Sequence, residues 1–270
     1  MSPRRQLSTK RLPLVAFLAG LALVAVVSGY VLERYILGSF VATKGKAVTP
    51  PKEQVATVTK TEITVPGASL WRVQIGSYNS KQQADQAKDA AQKKGFGAFV
   101  SGTGPFRVVA GVTKTKDAAQ KLSTSLSKAG YKPYVAEYKY NPATYSVTLG
   151  DANYVPVFKN GVLSMADAVP AEAGAWDYYY AGKKNEFVSS ATGVSTTLTN
   201  VAKKLAGTAP PKGAESLHAS LSTLLEKAAA NSNDMKTFAE KGGKDLYVKA
   251  ATTYMEVLES FERFMAQLPK

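Results

Sequence analysis

Trp71-Arg72-Val73-Gln74-Ile75-Gly76-Ser77-Tyr78 is echoed 35 residues later by Phe106-Arg107-Val108-Val109-Ala110-Gly111-Val112-Thr113. The echo extends outward to the next breaks in pattern. Gly76 lies 19 residues before Gly95, and Gly111 lies 19 before Gly130. Phe96, Phe99 and Val100 then map onto Tyr131, Tyr134 and Val135. A strand–helix–strand unit occurring twice within about 70 residues predicts one small α+β domain made of two similar halves.

Each half reads the same way. Trp71, Val73 and Ile75 alternate with Arg72, Gln74 and Gly76, the period of a half-buried strand. Ser80 is an N-cap for a helix that stacks Ala84, Ala87 and Ala91, and Gly95 stops it. Gly97 to Ser101 is a short strand and Gly102 to Pro105 a turn. In the next strand Phe106, Val108 and Ala110 face one way, Arg107 and Val109 the other. A second helix starts near Thr115, packs Ala118, Leu122 and Leu126, and stops at Gly130 before a closing strand, Tyr134 to Tyr140. The order is βαββαβ. Right-handed crossovers put both helices on one face of a four-stranded antiparallel sheet. The expected uncovered face displays Arg72, Gln74 and Gly76 beside Arg107, Val109 and Gly111.

The 270-residue chain carries 34 basic and 20 acidic side chains, a net charge of +14, so polyanions of any kind are attracted. Cysteine is absent and His218 is the single histidine. That excludes thiolate and multi-histidine metal sites and confines any Ser-His-Asp arrangement to the surroundings of His218. No catalytic residue, metal or cofactor is expected.

Leu12 to Leu32 is free of charge over 21 residues, which at helical rise spans roughly 30 Å, the thickness of a hydrocarbon core. Arg4, Arg5, Lys10 and Arg11 precede it, so the N-terminus is expected inside the cell and the rest outside. A removable signal peptide is the rival reading, but Val27-Ser28-Gly29 is a poor cleavage site. The expected organisation is a cytoplasmic basic tail (1–11), a transmembrane anchor (12–37) and a linker containing Pro50-Pro51 (38–69). The repeat domain (70–140), a poorly defined connecting segment (141–189) and an antiparallel helical bundle (190–270) follow. In the connecting segment Tyr145, Val147 and Leu149 alternate like a strand, Asn160-Gly161 signals a hairpin, and Trp176 and Tyr178 to Tyr180 cluster. The bundle is read from Val194-Leu198-Val201-Leu205, from Leu217-Leu221-Leu224-Ala228, and from a third apolar stripe beginning at Tyr247.

The motif Val73-Gln74-Ile75-Gly76-Ser77-Tyr78, with Phe106-Arg107-Val108 and Gly111 in βαββαβ order, resembles the SPOR (sporulation-related repeat) domain over about 70 residues. Anchor, linker and extracytoplasmic SPOR domain together resemble cell-division and sporulation proteins, the stage II sporulation protein B type among them. The resemblance implies binding of peptidoglycan glycan strands, in particular denuded strands stripped of stem peptides, and a septal location. By motif position it implies ligand contacts at Gln74, Ser77 and Arg107. Arg72, the repeat equivalent of Arg107, and Tyr78 are further candidates. Ser77 has the wrong parity for the uncovered face. Pro105 stands where family members often place a tryptophan, so Tyr78 or Phe106 would have to supply any aromatic contact, although Phe106 belongs to the core by parity. The chemistry is compatible, since Gln both donates and accepts and Arg offers a planar fork of donors to sugar hydroxyls and acetamido groups.

Plainer readings stand beside these. Gln74 and the two arginines fit solvated strand positions, and the lysines a solubilising surface. The aromatic cluster fits packing between domains better than a second sugar platform. An envelope scaffold acting through a protein partner of the bundle, with the SPOR-like domain as its targeting module, is the alternative function. A wall hydrolase lacks a metal cluster, and nucleic-acid binding lacks the stacking aromatics of an RNP motif.

Overall fold

The computed structural model describes residues 59–269. The expected cytoplasmic tail, the Leu12–Leu32 span and most of the linker lie outside the described residues. Among the described residues, no helix is long and apolar enough to cross a membrane.

The repeat folds as its pattern predicts. Strands β2 (Ala68–Tyr78), β3 (Phe99–Ser101), β4 (Phe106–Thr113) and β5 (Tyr134–Tyr140) form an antiparallel sheet in the order β3-β4-β2-β5, while β1 (Thr59–Val65) lies elsewhere. Helix α1 (Lys81–Lys93) follows β2, and α2 (Lys116–Lys128) follows β4. Ser80 and Thr115 cap them, their hydroxyls accepting from Gln83 N at 3.3 Å and Ala118 N at 3.4 Å. Just past the helix ends Gly95 (φ +92°) and Gly130 (φ +89°) adopt the left-handed conformation that side chains disfavour. Both helices pack on one sheet face. Val73, Ala110, Leu122 and Leu126 form one small core there, and Ala84, Ala91, Ala98 and Val108 another. Phe96 and Tyr131, equivalent by the 35-residue offset, meet edge-to-face at 6.1 Å.

The opposite face is not open as expected. Leu70, Val109 and Val112 are fully or almost fully buried in the largest core, with α6 (Lys244–Met265) laid across them. Met255 and Leu258 approach Phe99, Val109 and Val112, and Phe261 meets Tyr140 at 6.3 Å. The physical reason lies in β4, which is buried continuously from Val108 to Thr113. A run apolar on both faces requires two covering layers. Gly111, expected on the open face, turns instead toward α2, where an added Cβ would lie 2.5 Å from Leu122 Cδ2.

Two further expectations are corrected. The end of the expected linker is strand β1, which pairs with β6 (Ala143–Leu149) from Thr59↔Leu149 to Val65↔Ala143. This ribbon buries Ile63, Val65, Val147 and Leu149 in the large core. Asn160-Gly161 makes no hairpin, because it lies inside α3 (Tyr154–Tyr180). Gly161 lets α3 approach α5 (Glu215–Lys241) closely: a Cβ there would sit 2.8 Å from Leu221 Cδ2. With α4 (Lys184–Ala206), the C-terminal region therefore has four helices rather than three, each packed on its chain neighbour. Sheet, ribbon and helices belong to one compact unit.

Candidate functional site

The pairing of β2 with β4 slips on either side of Gln74. Val73 opposes Gly111, Gln74 opposes Val109, Gly76 opposes Val108, and Ser77 opposes Arg107. Directly opposed residues of an antiparallel pair share a face. The slip therefore carries Ser77 onto the face of Arg107, despite the parity counted along the chain. It carries Tyr78 the other way. Tyr78 opposes Phe106, both lie against the helix-side core, and the Tyr78 ring covers Gly76, where a Cβ would come within 2.6 Å of it. Gly76, too, is thus absent from the face expected to display it.

A polar strip remains open at one end of the sheet, with a residue from every strand. Ser101 of β3 opposes Arg107 of β4, which opposes Ser77 of β2, and Gln74 opposes Tyr134 of β5. Ser77 and Arg107 are exposed, Ser101 and Gln74 half-buried, and Tyr134 is 66 % exposed. The strip offers hydroxyls, a carboxamide, a guanidinium and one aromatic ring. It suits hydrogen bonding to an uncharged polyol and contains no acid–base pair.

Arg72 is placed differently. It lies farther along β2, beneath α6, with its guanidinium 4.1 Å over the Tyr138 ring. Burial pulls its pKa down; nearby Glu262 opposes this and Arg107 adds to it. Burial likewise raises the Glu262 carboxyl, with Arg72 opposing. Arg72 Nε, Glu259 Oε2 and Glu262 Oε1 are buried without a hydrogen-bond partner. Arg72 thus belongs to the contact between sheet and bundle. The structure brings Gln74, Ser77 and Arg107 together and leaves Arg72 and Tyr78 outside that group.

Tyr134 is the strip residue that sequence reading passed over. The 35-residue offset equated it with Phe99, whose ring is packed against the large core. Its place beside Gln74 follows from the β2–β5 register, for which the sequence carries no local signal.

The other candidates are structural. Trp176 is buried among Tyr179, Tyr180, Phe187, Phe238 and Tyr247 at ring separations of 5.3 to 6.4 Å. Tyr180 also packs against the small core under α2, so the cluster ties the bundle to the repeat domain. The Tyr154 hydroxyl hydrogen-bonds His218 Nδ1 at 3.0 Å. Among the described residues, no group of three or more His, Asp or Glu could hold a metal ion.

No curated protein matches this chain. The solution structure of the peptidoglycan binding domain of the B. subtilis cell wall lytic enzyme CwlC is similar, at 30% identity and a TM-score of 0.25, covering 26% of this chain and 91% of that one. A family model described as the SPOR domain matches residues 52–102 and 67–137. The second match runs from the turn before β2 into β5, the span whose βαββαβ order and paired halves are described above. Residues 67–137 of this chain are therefore a SPOR domain.

Proposed function

We propose that this protein binds peptidoglycan glycan strands through the open end of its SPOR sheet. The observation that carries the reading is the strip Ser101–Arg107–Ser77–Gln74–Tyr134. It has one residue or more from each strand, left uncovered where the rest of that face is buried beneath α6. The SPOR match supports the ligand class. Hydroxyl, carboxamide and guanidinium groups suit the hydroxyls and acetamido groups of amino sugars. The protein acts by binding and catalyses no wall hydrolysis. The preferred form of the ligand is the denuded strand.

The charge-free run Leu12–Leu32 and the basic residues before it support a single-pass anchor with the SPOR domain outside the cell. In that location the protein marks the division or sporulation septum. Full-length protein in detergent is incubated with intact sacculi and with amidase-treated sacculi, and the bound fraction is measured. Stronger retention on treated sacculi is expected. Equal retention would remove the denuded-strand preference, and no retention on either would remove the function. A reporter fused after Lys270 tests the orientation, and a fluorescent fusion followed through division and sporulation tests the septal location.

A further inference from the structure

We propose that the C-terminal bundle forms one wall of the glycan site, and that Glu259 of α6 accepts a hydrogen bond from a hydroxyl of the strand lying on Ser101 and Arg107. This rests on the glycan reading above and extends the site beyond the SPOR domain to a residue of the bundle.

The open strip ends where α6 begins. Val109 opposes both Gln74 of β2 and Phe99 of β3, and Ser101 opposes Arg107. Arg72 precedes Gln74 by two residues and shares its face. Ser101, Val109 and Arg72 line one crevice together with Met255, Glu259 and Glu262 of α6. A residue of the strip therefore stands on one side of this crevice and the helix on the other. Positions 255, 259 and 262 follow the i, i+4, i+7 spacing, so their side chains form one stripe along α6. That stripe is apolar at Met255 and carries carboxylates at Glu259 and Glu262.

A helix that served only to cover the sheet would continue the apolar run, because a buried polar atom without a partner is costly. Yet Arg72 Nε, Glu259 Oε2 and Glu262 Oε1 are all buried without one. Arg72 accounts for a single carboxylate. Glu262 is its stronger charge neighbour and Glu259 the weaker. Among the described residues Glu259 enters no ion pair. Its charge is surplus to the contact between sheet and bundle, and it stands at the edge of the strip.

Size and chemistry select the ligand group. The crevice encloses about 10 Å³, room for one water-sized group. A pyranose ring cannot enter, but a hydroxyl of a ring lying over Ser101 and Arg107 can. The strip itself is short of strong acceptors: Arg107 only donates, and the serines and Gln74 are uncharged. A carboxylate takes a hydroxyl hydrogen in a shorter and stronger bond than a neutral acceptor does. Arg107 then holds acceptor groups of the sugar, and Glu259 a donor. The two carboxylates also repel phosphate or carboxylate at this end of the strip, so an anionic polymer drawn by the net charge of +14 is disfavoured there.

The test uses full-length protein in detergent and amidase-treated sacculi, titrated to give an apparent affinity for wild type, Glu259→Ala, Glu259→Gln, Glu240→Gln and Arg107→Ala. Glu240 is an exposed residue of α5 outside the crevice, so Glu240→Gln makes the same change of net charge elsewhere. Circular dichroism and urea unfolding check that each variant is folded. Glu259→Ala is expected to weaken binding roughly tenfold, the scale of losing one hydrogen bond to a charged group. Glu259→Gln, which keeps a neutral acceptor, is expected to lose about threefold, and Glu240→Gln to match wild type. Should Glu259→Ala fail to fold, Glu259→Gln, close in shape, carries the test. Wild-type affinity in the Glu259 variants, alongside a loss in Arg107→Ala, would overturn this inference and leave the glycan reading intact, even if their unfolding midpoints fell. Tighter binding by Glu259→Gln than by Glu240→Gln would also overturn it, marking the carboxylate as a group that repels the strand. Wild-type protein that fails to bind at all would overturn both.

Discussion

Replacing Glu172 by Gln is expected to abolish one pH dependence of stability and to make the protein more stable at pH 8. Glu172 is 1 % exposed, inside the bundle on α3, and α5 supplies its partners. Asn231 Nδ2 donates to one carboxyl oxygen at 3.3 Å, and Ser232 Oγ is in close contact with the other. Ser232 Oγ also lies 3.2 Å from the Ala228 carbonyl. A hydroxyl has one proton. If Glu172 is charged, Ser232 must choose between carboxylate and carbonyl. If Glu172 is protonated, it donates to Ser232, which donates to Ala228, and both contacts are satisfied. Burial pushes the Glu172 pKa up, against the opposing hydrogen bonds from Ser232 and Asn231, to about 7 from an ordinary 4.5. Between those pH values the folded protein holds a proton that the unfolded chain has released. Stability therefore falls as pH rises through that window, by about 3 kcal/mol in all. Gln keeps the shape, donates to Ser232, accepts from Asn231 and carries no charge. Urea unfolding of both proteins at pH 5, 6, 7 and 8 measures the difference. The advantage of Glu172→Gln should grow from about 1 kcal/mol at pH 5 to about 3 kcal/mol at pH 8. Glu262 and Asp177, also raised by burial, contribute the same slope to both proteins and cancel. The Tyr254 hydroxyl, which donates to Val169 O and is pushed well above its ordinary value by burial, stays neutral throughout. A difference that does not vary with pH would refute the reasoning.

Leu70→Ala, on the sheet face buried by the bundle, should destabilise by about 2–5 kcal/mol, the cost of a core cavity, measured by urea or thermal unfolding. Removing Val194 to Lys270 would strip α6 from Leu70, Val109 and Val112; the truncated protein should aggregate or bind a hydrophobic dye, as size-exclusion chromatography and dye fluorescence would reveal. That deletion therefore cannot separate a targeting role of the SPOR domain from a scaffold role of the bundle, and point variants are needed. Gln74→Ala combined with Ser77→Ala should reduce retention on treated sacculi severalfold while leaving the unfolding midpoint almost unchanged, because both side chains reach solvent.

The repeat domain was legible because its signals are local and doubled. Caps at Ser80 and Thr115, stops at Gly95 and Gly130, and period-two strands appear in both halves, and each occurrence supports the other. The partnership of β1 with β6 was not legible, since each strand has weak local character and they meet across about 80 residues of chain. Asn160-Gly161 misled for the opposite reason. A strong local turn signal was overridden by the packing of α3 on Leu221, which favours a glycine. The covered face was partly readable, because Val108 to Val112 is apolar without interruption and Leu70 precedes it on the adjacent strand. In the site, Gln74 and Arg107 follow from alternation, whereas Ser77, Tyr78 and Tyr134 depend on register, and a bulge reverses parity without any mark in composition.

The merging of sheet and bundle into a single apolar interior separates two boundaries that usually coincide. Residues 67–137 are the stretch shared with other chains, yet Leu70, Val109 and Val112 are solvated by side chains from far downstream. The inherited module is thus smaller than the cooperative one. Transplanting it into another protein would carry over the ligand-facing end while leaving the remainder of that same sheet face wetted, and heating the native chain should melt SPOR and bundle signals at one temperature.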